Sequence, residues 1–162
     1  MAEQLANYFV ELFKETIPPE LTVFIISLMP VLEIRGGMIA ARLLEMDFIK
    51  AFIISYIGNI LPIPFILFFI KKIFALMRRV RAFGKIVDKL EQRSEKKKGS
   101  IEKYKEWGLL IFVAIPLPGT GGWTGALIAA LMDLRVKKAF PIICLGVFIA
   151  GIIMSLITYG LF

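Results

Sequence analysis

Apolar residues fall into four long blocks, Leu21–Leu44, Phe48–Met77, Gly108–Met132 and Ala139–Phe162, parted by short polar corners and one long charged stretch. Each block reaches the roughly 20 residues that carry an α-helix across about 30 Å of hydrocarbon. Pro and Gly interrupt three of them: at Pro30–Gly37, at Pro62 and Pro64, and at Pro116–Gly125. Ahead of the first block, Leu5, Tyr8, Phe9 and Leu12 recur at helical spacing, which predicts a short amphipathic helix at the membrane interface, stopping before Pro18-Pro19. Glu3, Glu11, Glu15 and Glu20, with no basic n-region, set this segment apart from a secretory signal. In the charged stretch Val80, Phe83, Val87 and Leu90 share one helical face opposite Arg81, Lys85, Asp88, Lys89 and Arg93. That pattern predicts a linker helix lying on the cytoplasmic leaflet, with a dimerising coiled segment as the alternative, ended by Gly99-Ser100.

The interrupted blocks repeat. Pro30-Val31-Leu32-Glu33-Ile34-Arg35-Gly36-Gly37 and Pro116-Leu117-Pro118-Gly119-Thr120-Gly121-Gly122-Trp123-Thr124-Gly125 align with an offset of 86, which also brings Met46-Asp47 onto Met132-Asp133. A two-residue insertion near Arg135-Val136 then moves the offset to 88, where Lys50-Ala51-Phe52 meets Lys138-Ala139-Phe140 and Gly58 meets Gly146. The chain therefore divides into repeat one (21–77), a basic linker (78–106) and repeat two (107–162), within a single membrane domain. Paired Gly/Pro-interrupted segments at matching places in two halves are the best sequence pointer to a transporter's binding site.

Charge suggests how the halves sit. Eleven Lys and Arg in the linker 78–106, against five acids, predict a cytoplasmic segment attracted to anionic lipid headgroups. Arg135, Lys137 and Lys138 would lie outside if Gly108–Met132 crossed, and in the cytoplasm if it turned back at its Pro/Gly run. The equivalent corner of repeat one, Arg42, Glu45, Asp47 and Lys50, sums to zero and suits the outside. The expected fold is thus an inverted repeat of two re-entrant helical hairpins, each followed by a transmembrane helix; four full spans with parallel repeats is the rival. Irregular backbone at membrane depth needs protein or water around it. A chain this small is therefore expected to form a homodimer or higher homo-oligomer.

Composition narrows the function. With 58% hydrophobic residues and mean hydropathy +0.78, against about 45–50% in soluble domains, this is an integral membrane protein, multi-pass in the cell membrane. The net charge of +7 sits beside the spans without a nucleic-acid motif, so no nucleic-acid partner is expected. One cysteine, Cys144, and no histidine exclude an intrachain disulfide, His-containing zinc sites and Ser-His or Cys-His catalysis. No enzymatic activity, metal or cofactor is expected.

Glu33 and Arg35 are charges in apolar surroundings, which usually mark a pathway, a relay or a paired site. On a regular helix they would point apart; in an unwound turn both reach one cavity. Arg35 would offer a planar donor fork to phosphate or carboxylate, and Glu33 would exchange a proton or face a cationic drug. Alternatively, they pair with free carbonyls or a second subunit and merely hold the turn. Gly36 and Gly37 complete that turn. Across from it Pro116, Pro118, Gly119, Gly121 and Gly122 unwind the backbone, and Thr120 and Thr124 add hydroxyls. A helix restarting near Thr120 would aim its positive end at the cavity. Trp123 would stack on a ligand or pack between the repeats. No Lys-Ser/Thr follows the Gly-x-Gly-Gly run, so it is not a nucleotide loop. Asn59 is expected to face the interior as a secondary pathway residue, Asp47 and Asp133 to cap the helices after them, and Tyr104 and Trp107 to anchor at the interface.

The Pro30–Gly37 and Pro116–Gly125 motifs resemble the two signatures of the small multidrug export family, over nearly the whole chain. More distantly the layout is similar to the DedA (VTT-domain) superfamily, whose members pair re-entrant hairpins with spanning helices and are implicated in moving polyprenyl-phosphate or phospholipids between leaflets. That resemblance implies that Glu33 and Arg35 match the conspicuous acid and base of the superfamily. The longer arginine-bearing DedA motif is not evident after Pro116. The expected function is a passive or proton-coupled transporter of an anionic amphiphile such as a lipid-linked phosphate, with its site between the hairpin tips. Export of small organic cations and a non-transporting membrane assembly or scaffold role are the alternatives.

Overall fold

The computed structural model describes residues 2–13, 16–77, 88–89, 92, 106–117, 119–132 and 134–160. The linker-helix positions Val80, Phe83, Val87 and Leu90, with Tyr104, Pro118 and Asp133, lie outside the described residues. Every regular element among the described residues is helical. They are α1 (Ala2–Phe13), α2 (Pro19–Leu28), α3 (Glu33–Leu43), α4 (Phe48–Ile60), α5 (Ile63–Met77), α6 (106–114), α7 (Gly122–Leu131) and α8 (Val136–Tyr159).

Local chemistry explains most boundaries. Pro19 opens α2 at a first-turn position, where a missing N–H costs nothing. Asp47 caps α4, accepting from the amides of Ile49 at 3.0 Å and Lys50 at 3.4 Å, as its place before the apolar run predicts. Pro62 and Pro64 supply no amide to the ladder, so the chain bends at Leu61-Pro62 between α4 and α5. Gly160 ends α8 in the left-handed conformation.

Among the described residues two apolar runs are long enough to cross a membrane: Phe48–Ile70, passing through the bend, with mean hydropathy 2.1, and Val136–Tyr159 with 2.6. By contrast α2 and α7 have 10 residues each and α3 has 11. At 1.5 Å per residue they reach only about half the hydrocarbon thickness. Large apolar side chains are exposed on the outer faces as well as buried in the core. Along α4 and α5 the outward ridge is Ile49, Ile53, Ile57, Leu61, Phe65 and Phe68, while Ala51, Ser55, Gly58 and Asn59 face inward. Small residues let backbones approach where no hydrophobic force pulls helices together. A Cβ on Gly58 would stand 2.8 Å from the Phe24 carbonyl oxygen, and one on Gly146 3.3 Å from that of Leu110.

Helix α3 is central, packing on α1, α2, α4 and α8, while α7 packs on α5 and α8. Contacts recur at the sequence offsets. Glu20 pairs with Lys50, and Glu106 with Lys138 at 2.9 Å. Lys50 holds the exposed Glu20 carboxyl below the usual carboxylate range. Met46 N donates to Ala41 O at 2.9 Å, and Leu134 N to Ala129 O at 3.0 Å, already at offset 88, which places the two-residue insertion ahead of Ala129 and not near Arg135-Val136. Gly58 abuts Ser27, and Gly146 abuts Val113.

The short N-terminal helix stands as α1, ending at Phe13 ahead of Pro18-Pro19; Ala6 and Val10 are buried, while Tyr8 and Leu12 are 63% and 53% exposed. One expectation needs correction. Gly36 and Gly37 do not unwind the first turn. They lie inside α3, where a Cβ on Gly37 would meet Ser27 and Ser55 of neighbouring helices and one on Gly36 would meet Leu32 just before α3.

Asp47→Ala is expected to cost about 1 kcal/mol, a fall of roughly 2–4 °C in Tm, by thermal unfolding of the purified protein. An unchanged Tm would show that water caps α4 equally well.

Candidate functional site

The first turn brings its acid and base to the second by a local distortion. Glu33, the first residue of α3, has φ = 52°, a conformation that costs a non-glycine residue on the order of 1–3 kcal/mol. The kink turns the Glu33 side chain off the helical direction, so that residues two apart address the same segment. Both charges reach the chain between α6 and α7, but they are met there by protein groups, not by an open polar cavity.

Glu33 is 3% exposed. Its Oε2 accepts from the amide of Gly122 at 2.9 Å and its Oε1 from that of Trp123 at 3.3 Å. Those amides are the free first-turn donors of α7, where the helix dipole and unpaired N–H groups favour an anion. The helix restarts at Gly122, two residues after the expected Thr120. Arg35 completes the exchange in the opposite sense. Its Nη1 donates to the carbonyl of Leu117, and its Nη2 donates to the Thr120 carbonyl and to Thr120 Oγ1, each at 2.9 Å. Thr120 Oγ1 also accepts from Leu117 N at 3.2 Å and lies 2.8 Å from the carbonyl oxygens of Ile115 and Leu117. The acid of one turn thus holds the amides of the other, and the base holds its carbonyls.

Gly121 makes the approach possible. It has φ = 128°, and a Cβ there would stand 2.0 Å from Glu33 Oε2. Gly119 is also left-handed, with φ = 80°. Pro116 is half-buried before the turn, and Thr124 is half-buried in α7. Trp123 is half-buried and packs against the core. Beside it, Leu28, Leu61, Pro62, Phe65 and Phe69 line a groove of about 410 Å³, within the about 300–1,000 Å³ of ligand pockets.

Asn59, as expected, faces the interior: it is 0% exposed and within reach of Gly122, whose added Cβ would stand 2.8 Å from Asn59 Oδ1. Neither its amide oxygen nor its nitrogen has a hydrogen-bond partner among the described residues, nor has Ser55 Oγ, Arg35 Nε or Trp123 Nε1. Each such buried group costs about 1–3 kcal/mol. Among the described residues no three His, Cys, Asp or Glu side chains converge as metal ligands. Ser27 and Ser55, both buried beside Gly37, were not singled out by the sequence of their own half alone. The signal was their apolar counterparts, Val113 and Ile143, in the other half.

The profile of the family described as "putative small multi-drug export protein" matches residues 33–153 of the 162. The chain belongs to that family. The match opens on Glu33 and takes in both interlocked turns and most of α8. Neither the curated proteins nor the solved structures hold a match to the chain. The family and the two long apolar helices among the described residues together point to a membrane protein.

Gly121→Ala is expected to force Glu33 off the α7 amides and to strain the backbone, destabilising the protein by at least about 2 kcal/mol. Thermal unfolding checks it. A Tm within 1–2 °C of native would mean that the two turns are not locked through this carboxylate.

Proposed function

We propose that this protein is a transporter in which the Glu33 carboxylate is a built-in competitor for an anionic amphiphile, such as a lipid-linked phosphate. The carboxylate on the α7 amides carries this reading: it occupies an anion site with the protein's own anion. A proton on Glu33 would weaken its hold and free the two amides. A phosphate could then take its place, drawing the Arg35 fork from the carbonyls of Leu117 and Thr120. Exchange of a proton for a headgroup at one site couples the two without further machinery. The apolar groove beside Trp123 supports an amphiphilic substrate, since a hydrocarbon tail fits its wall of Leu, Pro and Phe.

In this reading the short α2–α3 and α6–α7 pairs are re-entrant hairpins entering from opposite leaflets, followed by the spanning runs 48–70 and 136–159. Their half-thickness lengths and the recurrent contacts at offsets 86 and 88 support it. The basic linker 78–106 is cytoplasmic and touches anionic headgroups, and a homo-oligomer covers whatever the single chain leaves open at the turns. The distant resemblance to DedA proteins agrees with lipid-phosphate movement. The family's association with multi-drug export favours a second reading, export of small organic cations with Glu33 as counter-charge.

Purified protein in liposomes is expected to translocate a labelled polyprenyl phosphate. Glu33→Gln should make the rate independent of pH, and Arg35→Lys should lower it at least about tenfold by loss of the fork. Translocation indifferent to Arg35, with Glu33-dependent resistance to cationic dyes, would favour cation export. No translocation by folded protein would leave a scaffold.

With Cys144 replaced, Val136→Cys is expected to react with impermeant thiol reagent only from the cytoplasmic side. Labelling from outside alone would reject the second hairpin.

A further inference from the structure

Repeat one carries polar side chains in its core at positions where repeat two carries apolar ones. Ser27, Ser55 and Asn59 are each 0% exposed. Their counterparts, by the offsets of 86 and 88, are Val113, Ile143 and Val147, exposed by 0, 0 and 1%. The packing is otherwise alike, with Gly58 against Ser27 and the Phe24 carbonyl and Gly146 against Val113 and the Leu110 carbonyl. Interhelical polar glue therefore does not explain the serines and the asparagine: the same contacts close without them in the other half.

These groups form a continuous seam. Ser55 and Asn59 are one turn apart on the inward face of α4. Gly37, one turn along α3 from Glu33, has Ser27 Oγ and Ser55 Oγ 1.8 Å and 2.7 Å from where its Cβ would be. Asn59 stands at the other end, beside Gly122, whose amide binds Glu33. Ser27 Oγ donates to Val23 O at 2.7 Å and keeps its lone pairs; Ser55 Oγ and Asn59 Oδ1 are unpartnered among the described residues. The seam thus offers neutral oxygens leading to one carboxylate. Ser27 also lies in the last turn of α2, the negative end of that helix.

We propose that this seam is a binding site for one small monovalent cation, a sodium ion or a proton carried on water, held by Ser27, Ser55, Asn59 and Glu33. Buried carboxylates at membrane depth serve as ion or proton sites, and helix C-terminal ends help to coordinate such ions. Among the described residues Arg35 is the charged side chain acting on Glu33, with the Asn59 side chain also within hydrogen-bonding reach of its carboxyl. The faces of α2, α4 and α8 turned to the seam present Ser27, Ser55, Asn59 and Val147, none of them ionisable. A cation here would couple to the Glu33 exchange of the transport reading. Its binding is measurable with no substrate present, so either can fail without the other.

The test is thermal unfolding of the full-length protein in NaCl against choline chloride at equal ionic strength, repeated across pH. The variants are Ser55→Ile/Asn59→Val, which installs the residues of repeat two, and Ser55→Ala, which removes a single oxygen. A sodium site raises the native Tm by about 5–10 °C when the ion exceeds its dissociation constant about a hundredfold. The double variant melts at or above the native Tm without sodium and gains nothing from it. A proton site leaves Tm indifferent to sodium but dependent on pH, and both variants displace that dependence. Failure of the double variant to fold passes the decision to Ser55→Ala, which is expected to need at least about tenfold more sodium for the same rise, or to displace the pH profile. A native Tm indifferent to both ions, or responses unchanged in the variants, would overturn the site and leave the seam to ordered water.

Discussion

A carboxylate on the first turn of α7 and a guanidinium on the carbonyls before it hold the two halves of this protein together. Neither group is spare. The broken chain between α6 and α7 leaves several amides and carbonyls without helical partners, and such groups are costly wherever they are buried from water. Glu33 and Arg35 satisfy them from another part of the sequence, 82 to 90 residues away. The left-handed backbone at Glu33 and the absent side chain at Gly121 follow from that requirement, since a regular helix start or a Cβ would keep the carboxylate out. The same pairing makes the lock reversible in principle, because it consists of charge-assisted hydrogen bonds and not of packed hydrocarbon.

Much of the layout was readable from the chain. The apolar blocks, the bend at Pro62, the cap at Asp47 and the inward Asn59 follow from rules that act over one or two turns, and tertiary packing has little power to override them. The Gly36-Gly37 pair misled because glycine serves two ends. It frees a turn, or it lets a neighbouring helix come close, and only the presence of Ser27 and Ser55 beside Gly37 tells which.

The site was half legible. Glu33, Arg35, Thr120, Gly121 and Gly122 were marked by charge and by glycine spacing, and they meet. That they meet one another was one of two open possibilities, because a sequence fixes which groups need partners without saying who supplies them. The serines of repeat one carry no local signal at all. Only comparison with Val113 and Ile143, at the matching offsets in the second half of the chain, sets them apart.

The chain has only two tryptophans. Trp107 is 71% exposed at the start of α6, while Trp123 lends its amide to Glu33 and its ring to the groove. With the outer indole exchanged for phenylalanine, the whole ultraviolet emission attributable to tryptophan would come from the junction of the two halves. The protein carries its own optical reporter beside the Glu33 carboxylate.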